Sequence, residues 1–254
     1  MKTKAIIFDL DGTAVNSPLE KLPPASLKTA VKNLESKYYL SSATGRVWTF
    51  AKPVLQELNL VDPCIISAGT QICNPVTGKI LWQKTVADDS LKQVIAILKE
   101  YPDYKLLYND NDEHEYFYGG MSPLDFANKE PVYFLEQVFV PDNTAIKIHE
   151  QLNGIPGITC VMVTAQKPGT RDLHIINNEA TKEHAVAELL KMLQIDKKNT
   201  IGIGDGHNDV HLFNAVAYKV AMGNAVPDLK AVANIVIGPV EQDGLVKYLQ
   251  SLSS

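Results

Sequence analysis

Two carboxylates, Asp9 and Asp11, stand two residues apart directly after the apolar run Ala5-Ile6-Ile7-Phe8. In an extended chain such residues point to the same side. A strand ending here presents both at its carboxyl end, the edge where open parallel sheets build their sites. Gly12 then lets the backbone turn sharply away. Capping of the next turn would account for one such Asp; a pair that closes a buried strand points to metal or acid–base chemistry. A second acidic cluster, Gly204-Asp205-Gly206-His207-Asn208-Asp209, follows the run 200–203. Asp9, Asp11, Asp205 and Asp209 meeting at one sheet edge would repel one another if all were ionised. A hard divalent cation removes that conflict, and Mg2+ suits a few carboxylates, water and a substrate phosphate. His207 and His211 lie at i, i+4, but carboxylate-rich surroundings argue against a softer metal there.

Two further places could hold an anion. Thr44-Gly45-Arg46 closes one strand-like run and opens a helical pattern. A hydroxyl and free backbone N–H groups at a helix start make an anion site, although Thr is also an ordinary N-cap. Lys182 falls in the first turn of a helical pattern over 179–193, where the helix dipole disfavours a cation. Facing an anion would explain it there; a solvated surface lysine is the plainer alternative.

The elements that must position these groups alternate. Short apolar runs at 4–8, 38–43, 64–67, 200–204, 218–222 and 235–238 read as buried strands. Helical periodicity over 25–37, 47–58 and 179–193 separates them. The pattern predicts an α/β fold with a doubly wound, Rossmann-like parallel sheet. The stretch 82–177 differs. Helix patterns at 88–100 and 143–153 alternate with strand-like runs at 104–108, 116–119 and 158–164, which suggests an inserted α+β cap. The expected division is a core of 1–81 and 178–254 around a cap of 82–177. The acidic run Asp110-Asn111-Asp112-Glu113-His114-Glu115 lacks the spacing of a calcium loop and reads as a solvated loop. Tyr116-Phe117-Tyr118 reads as packing within the cap.

The bulk numbers exclude several classes. The chain has 254 residues, 45% of them hydrophobic and 21% charged, which describes an ordinary globular protein. Lys plus Arg is 24 and Asp plus Glu is 29, so the net charge is 24 − 29 = −5. That balance argues against nucleic-acid or anionic-membrane partners. Three cysteines, Cys64, Cys73 and Cys160, form no CxxC pair and read as buried free thiols of a reducing compartment. No apolar run is long enough for a signal peptide or a spanning helix, so the expected location is cytoplasmic.

Taken in order, Phe8-Asp9-Leu10-Asp11-Gly12-Thr13, Thr44-Gly45-Arg46, Lys182 and Gly204-Asp205 through Asn208-Asp209 resemble the haloacid dehalogenase (HAD) superfamily of phosphohydrolases. Val220-Ala221-Met222-Gly223-Asn224-Ala225 and Asp243-Gly244-Leu245 resemble the ending of its Cof-type branch. The departures are Ala14 where the branch usually carries Leu, Ala68-Gly69 where it shows Asn-Gly, and Glu183 where a small residue commonly follows the lysine. The resemblance implies Asp9 as nucleophile and Asp11 as general acid and base. It implies metal ligation by the side chains of Asp9 and Asp205 and the backbone carbonyl of Asp11, with Asp209 binding directly or through water. Thr44, the Gly45 amide, Lys182 and Asn208 would hold phosphate oxygens, and Arg46 would meet the substrate or form a structural ion pair. The implied activity is Mg2+-dependent hydrolysis of small phosphate monoesters, sugar phosphates above all, through an aspartyl-phosphate. A phosphomutase of the same superfamily and a non-hydrolytic aspartyl-phosphate switch are the alternatives. Monomer and homodimer are equally compatible with the sequence.

Overall fold

A computed structural model describes residues 2–16, 22–110, 125, 127 and 130–253. The expected strand 116–119, the aromatic stretch Tyr116-Phe117-Tyr118 and the acidic run from Asn111 to Glu115 lie outside the described residues. The chain separates into two compact units: Met1–Trp82 with Lys182–Ser254, and Gln83–Thr181.

In the first unit, strand β1 (Lys4–Phe8) buries Ala5, Ile6, Ile7 and Phe8 completely. A continuous apolar run of this kind belongs at the centre of a parallel sheet covered on both faces. β1 pairs in parallel with β2 (Tyr38–Ser42) and β10 (Thr200–Gly204). β11 (Tyr218–Ala221) and β12 (Ile235–Val236) complete a five-stranded sheet of order β12-β11-β10-β1-β2. This is the Rossmann-like core read from the alternating pattern. Helix α1 (Ala25–Leu34) buries Leu27, Ala30, Val31 and Leu34, one stripe at helical spacing. It packs against the C-terminal helix α8 (Gly244–Ser251). Helix α5 (Lys182–Leu193) buries Ala185, Val186, Leu189 and Leu190, and packs on α6 (Asp209–Ala215). Helices α2 (Trp48–Glu57) and α7 (Pro227–Ala231) complete the set.

A side sheet was not expected. β3 (Cys64–Ile66) touches the main sheet through one parallel bridge, Ala43 to Ile65, then pairs antiparallel with β4 (Gln71–Cys73), which leads to β5 (Ile80–Gln83). Strands of three or four residues are too short to show a readable alternation.

In the second unit, four strands run in the order β6-β7-β9-β8, all neighbours antiparallel. They are β6 (Leu106–Tyr108), β7 (Leu135–Pro141), β8 (Ile158–Thr164) and β9 (Thr170–Asn177). Helices α3 (Asp88–Leu98) and α4 (Asp142–Asn153) share one apolar core with them, which includes Leu91, Ile95, Ile148, Leu152 and Leu173. β7 bulges between Gln137 and Val140, where Phe139 takes φ 57° and its N–H donates to Asp172 Oδ1 at 2.7 Å. All three cysteines are buried and free of disulfides, and burial pushes the Cys64 and Cys160 thiols up to about 11 and about 12. Among the described residues, no helix is long and apolar enough to cross a membrane.

Candidate active site

The site grows from the carboxyl edge of the five-stranded sheet. The Asp9 N–H donates to the Ile203 carbonyl at 3.0 Å, which carries the β1–β10 ladder one residue past the strand. The chain then coils tightly: Ala14 and Val15 donate to the Leu10 carbonyl at 2.7 and 2.9 Å, and Gly12 donates to that of Val15 at 2.8 Å. Gly12 has φ +73°, and a Cβ there would lie 2.1 Å from Asp205 Oδ2. Glycine is therefore needed both for the turn and for the approach of that carboxylate. Thr13 Oγ1 donates to Asp205 Oδ1 at 2.7 Å, so the turn after β1 holds the residue that ends β10.

Lys182 opens α5 with its side chain only 2% exposed. Its ammonium donates to Asp209 Oδ1 at 2.7 Å and pairs with Asp9 Oδ1 at 3.2 Å. Asp209 opens α6 and is fully buried; its Oδ2 accepts the N–H groups of Asp205 and Gly206, each at 2.9 Å. A carboxylate at a helix start that accepts backbone N–H groups is well placed electrostatically. Gly204 makes room for it, since a Cβ at that position would lie 2.5 Å from Asp209 Cγ. Asp9 Oδ1 also accepts the Leu10 N–H at 2.8 Å.

These charges are not balanced within the protein. Burial, then the Asp209 charge, push the Asp9 carboxyl well above the usual carboxylate range against the opposing pull of Lys182. Burial and Asp209 likewise push Asp205 up to about 7. Burial alone would pull the Lys182 ammonium down, but Asp209 and Asp9 together outweigh it and raise it. One lysine thus faces three clustered carboxylates. Oxygens of Asp9, Asp205 and Asp209 lie within 4.8 Å of one another. A compact all-oxygen donor set with excess negative charge fits a hard divalent cation.

The other expected residues lie on the loops that follow β1, β2 and β10. Arg46 grips Asp11 with two nitrogens: Nη2 reaches Asp11 Oδ1 at 2.6 Å, and Nε reaches both oxygens at 3.0 to 3.1 Å. In this structure the Arg46 guanidinium is therefore held in an ion pair with Asp11. Thr44 is buried, and its Oγ1 accepts the Arg46 N–H at 3.1 Å, a local turn bond that leaves the hydroxyl hydrogen to donate elsewhere. Gly45 lies half-buried between them. Asn208 precedes α6, and its side chain makes no capping bond.

Two features were not read from the sequence. Ser67 and Ala68 clamp the Thr44–Arg46 turn through Ser67 N–H to the Arg46 carbonyl at 2.8 Å and Ala68 N–H to that of Thr44 at 3.1 Å. Both adopt left-handed φ, 52° and 59°, which Asn or Gly reaches more easily. The signal was the Ala68-Gly69 departure. The second feature is Asn224, beyond β11, which donates to the Gly12 carbonyl at 2.8 Å.

Comparison with known proteins supplies the family. The description of haloacid dehalogenase-like hydrolases matches residues 6–249. The chain belongs to this family. It is an enzyme of the HAD phosphatase type, in agreement with the motif reading. Similar proteins include the pyridoxal phosphate phosphatase YbhA of Escherichia coli, 26% identical over 99% of both chains. The 5-amino-6-(5-phospho-D-ribitylamino)uracil phosphatase YitU of Bacillus subtilis is 23% identical over 100% of both. Among solved structures, the HAD subclass IIB sugar phosphatase BT4131 superposes with a TM-score of 0.76 at 23% identity, covering 98% of this chain and 99% of that one. A haloacid dehalogenase-like hydrolase from B. subtilis gives 0.79 at 18% identity, covering 97% and 99%. At these identities the structures speak for the fold: a HAD core with a parallel central sheet.

Proposed function

We propose that this HAD hydrolase is a Mg2+-dependent phosphatase of small phosphate monoesters, sugar phosphates foremost, working through a phosphorylated Asp9. The observation that carries the reading is the meeting of buried Asp9, Lys182 and Asp209 with half-buried Asp205 at the sheet edge. Lys182 and Leu10 N–H both hold Asp9 Oδ1; among the described residues nothing donates to Oδ2, the oxygen we assign to attack on phosphorus. The P–O bond to the leaving group breaks as the Asp9–phosphorus bond forms, and covalent catalysis divides a very slow hydrolysis into two easier steps. Asp9, Asp205, Asp209 and the Asp11 carbonyl would hold Mg2+, which when bound supplies positive charge against the phosphoryl oxygens. Lys182 adds a fixed charge of the same sign, held by Asp209 in a nearly dry environment where it acts strongly. Thr44, the Gly45 amide and Asn208 complete the cradle for phosphate oxygens.

Asp11 protonates the leaving oxygen and then draws the proton from the water that cleaves the aspartyl-phosphate. A two-nitrogen guanidinium grip suits a carboxylate, the form the second step requires. The first step requires the protonated form of Asp11, whose proton passes to the leaving oxygen and leaves the carboxylate that the second step uses. The choice of leaving group we assign to the inserted unit, as the family resemblance implies. An aryl phosphate and a panel of phosphorylated sugars and cofactors, assayed with and without Mg2+, test the proposal. Turnover that requires Mg2+ and is fastest on sugar phosphates is expected; no turnover with any of several divalent metals would overturn it.

A further inference from the structure

The carboxylates of the site come from two loops far apart in sequence: Asp9 and Asp11 follow β1, and Asp205 follows β10. Thr13 is one tie between them. Asn224 is a second, on a third loop. That loop is itself anchored to Asp205: Met222 N–H donates to the Gly204 carbonyl at 3.0 Å and Val226 N–H to the Asp205 carbonyl at 2.9 Å. From this base the Asn224 amide nitrogen donates to the Gly12 carbonyl at 2.8 Å, with a longer contact to Asp205 Oδ2 at 3.4 Å. Its amide oxygen accepts the Val240 N–H at 3.0 Å. The partners fix which end of the amide is which: a carbonyl needs the nitrogen and an N–H needs the oxygen. No other side chain of this size offers a donor and an acceptor in that arrangement.

We propose that Asn224 is a positioning residue for the cation site, holding the nucleophile turn at Gly12 in register with Asp205. The inference rests on the functional reading above. Asn224 is exposed, so it is not a core-packing residue, yet it spans the two loops that must share one ion. Groups that orient metal ligands from outside the coordination sphere are worth about 10- to 100-fold in affinity or activity. A purely structural asparagine would affect melting and leave cation affinity alone.

The test is binding of Mn2+, an EPR-visible stand-in for Mg2+, to the 254-residue chain and to its N224A, N224L and K230A variants. Lys230 serves as the control: its ammonium holds the neighbouring Gly223 carbonyl at 2.6 Å and is placed outside the cation site. In the N224 variants the dissociation constant for Mn2+ should rise about 10-fold or more, with metal-free melting close to wild type; K230A should bind as wild type does. Unchanged Mn2+ affinity in folded N224A and N224L would overturn the inference, as would an equal loss in K230A. Should N224L fail to fold, N224A decides by the same criterion. Wild-type protein that binds no Mn2+ would overturn the functional reading, and this inference with it; wild-type binding with no effect at position 224 would overturn this inference alone.

Discussion

The two units bury different things. The unit around β1 and β10 buries Asp9, Thr44, Lys182 and Asp209 beside its apolar core. The core of the inserted unit, shared by α3, α4 and its four strands, is apolar. Its buried polar side chains are Ser90, Gln137, Thr170, His174 and Thr181, and among the described residues no Asp, Glu, Lys or Arg of that unit is buried. Buried charge is costly unless paired, so the first unit gives up stability at one sheet edge and the second does not. Electrostatic tension concentrated there, with apolar packing elsewhere, is what a site built to receive a cation and a phosphoryl group requires.

The contrast can be broken in order of expected effect. Asp9→Asn should lower turnover by about 10⁴-fold or more, as loss of a nucleophile does. It should also leave the metal-free fold at least as stable near pH 7, because burial and Asp209 disfavour the charge it removes; kinetics and thermal melts of one preparation check both. Lys182→Met should cost about 10²- to 10³-fold in turnover. It should also cost about 3–5 kcal/mol in stability, since Asp9 and Asp209 lose their shared cation while buried; denaturant titration reads the second effect. Leu173→Ala, in the apolar core of the inserted unit, should cost about 2–5 kcal/mol by opening a cavity, with Mn2+ affinity unchanged. A parallel loss of Mn2+ affinity would erase the division of labour between the units.

A subtler effect is pH dependence without metal. Asp205 is raised to about 7 and Asp9 is raised as well, so the folded metal-free chain keeps protons that the unfolded chain has released. Stability should therefore fall as pH rises from the ordinary carboxylate range through about 7, and level off only once Asp9 as well as Asp205 is ionised. Mg2+ needs the ionised carboxylates, so its stabilising effect should be larger at pH 8 than at pH 5.5. Melting curves at both values, with and without Mg2+, check the sign.

Much of this was readable from residues. The four apolar positions before Asp9 could only suit a central strand, and the D-x-D and G-D-x-x-N-D spacings placed carboxylates at the ends of β1 and β10. Lys182 was legible as an oddity, a cation at a helix start. What escaped was set by tertiary contact. Arg46 could have met a substrate or an acid, and only the fold brings Asp11 within 2.6 Å of it. Asn224 stands in the stretch that resembles the Cof-type ending, but its role was not legible, because its partners Gly12 and Asp205 lie 212 and 19 residues away in sequence. β7 and β9 of the inserted unit were hidden because Glu136, Gln137, Arg171 and Asp172 interrupt their apolar alternation, and side chains from neighbouring strands decide such segments.

The central claim, that Asp9 carries the phosphoryl group, is tested most directly by acid-quenching the enzyme during turnover of a ³²P-labelled substrate with Mg2+ and mapping the label. The account predicts label on the peptide containing Asp9, lost on a chase with unlabelled substrate and absent from the Asp9→Asn protein. Steady turnover with no protein-bound label, or label on a peptide without Asp9, would contradict it.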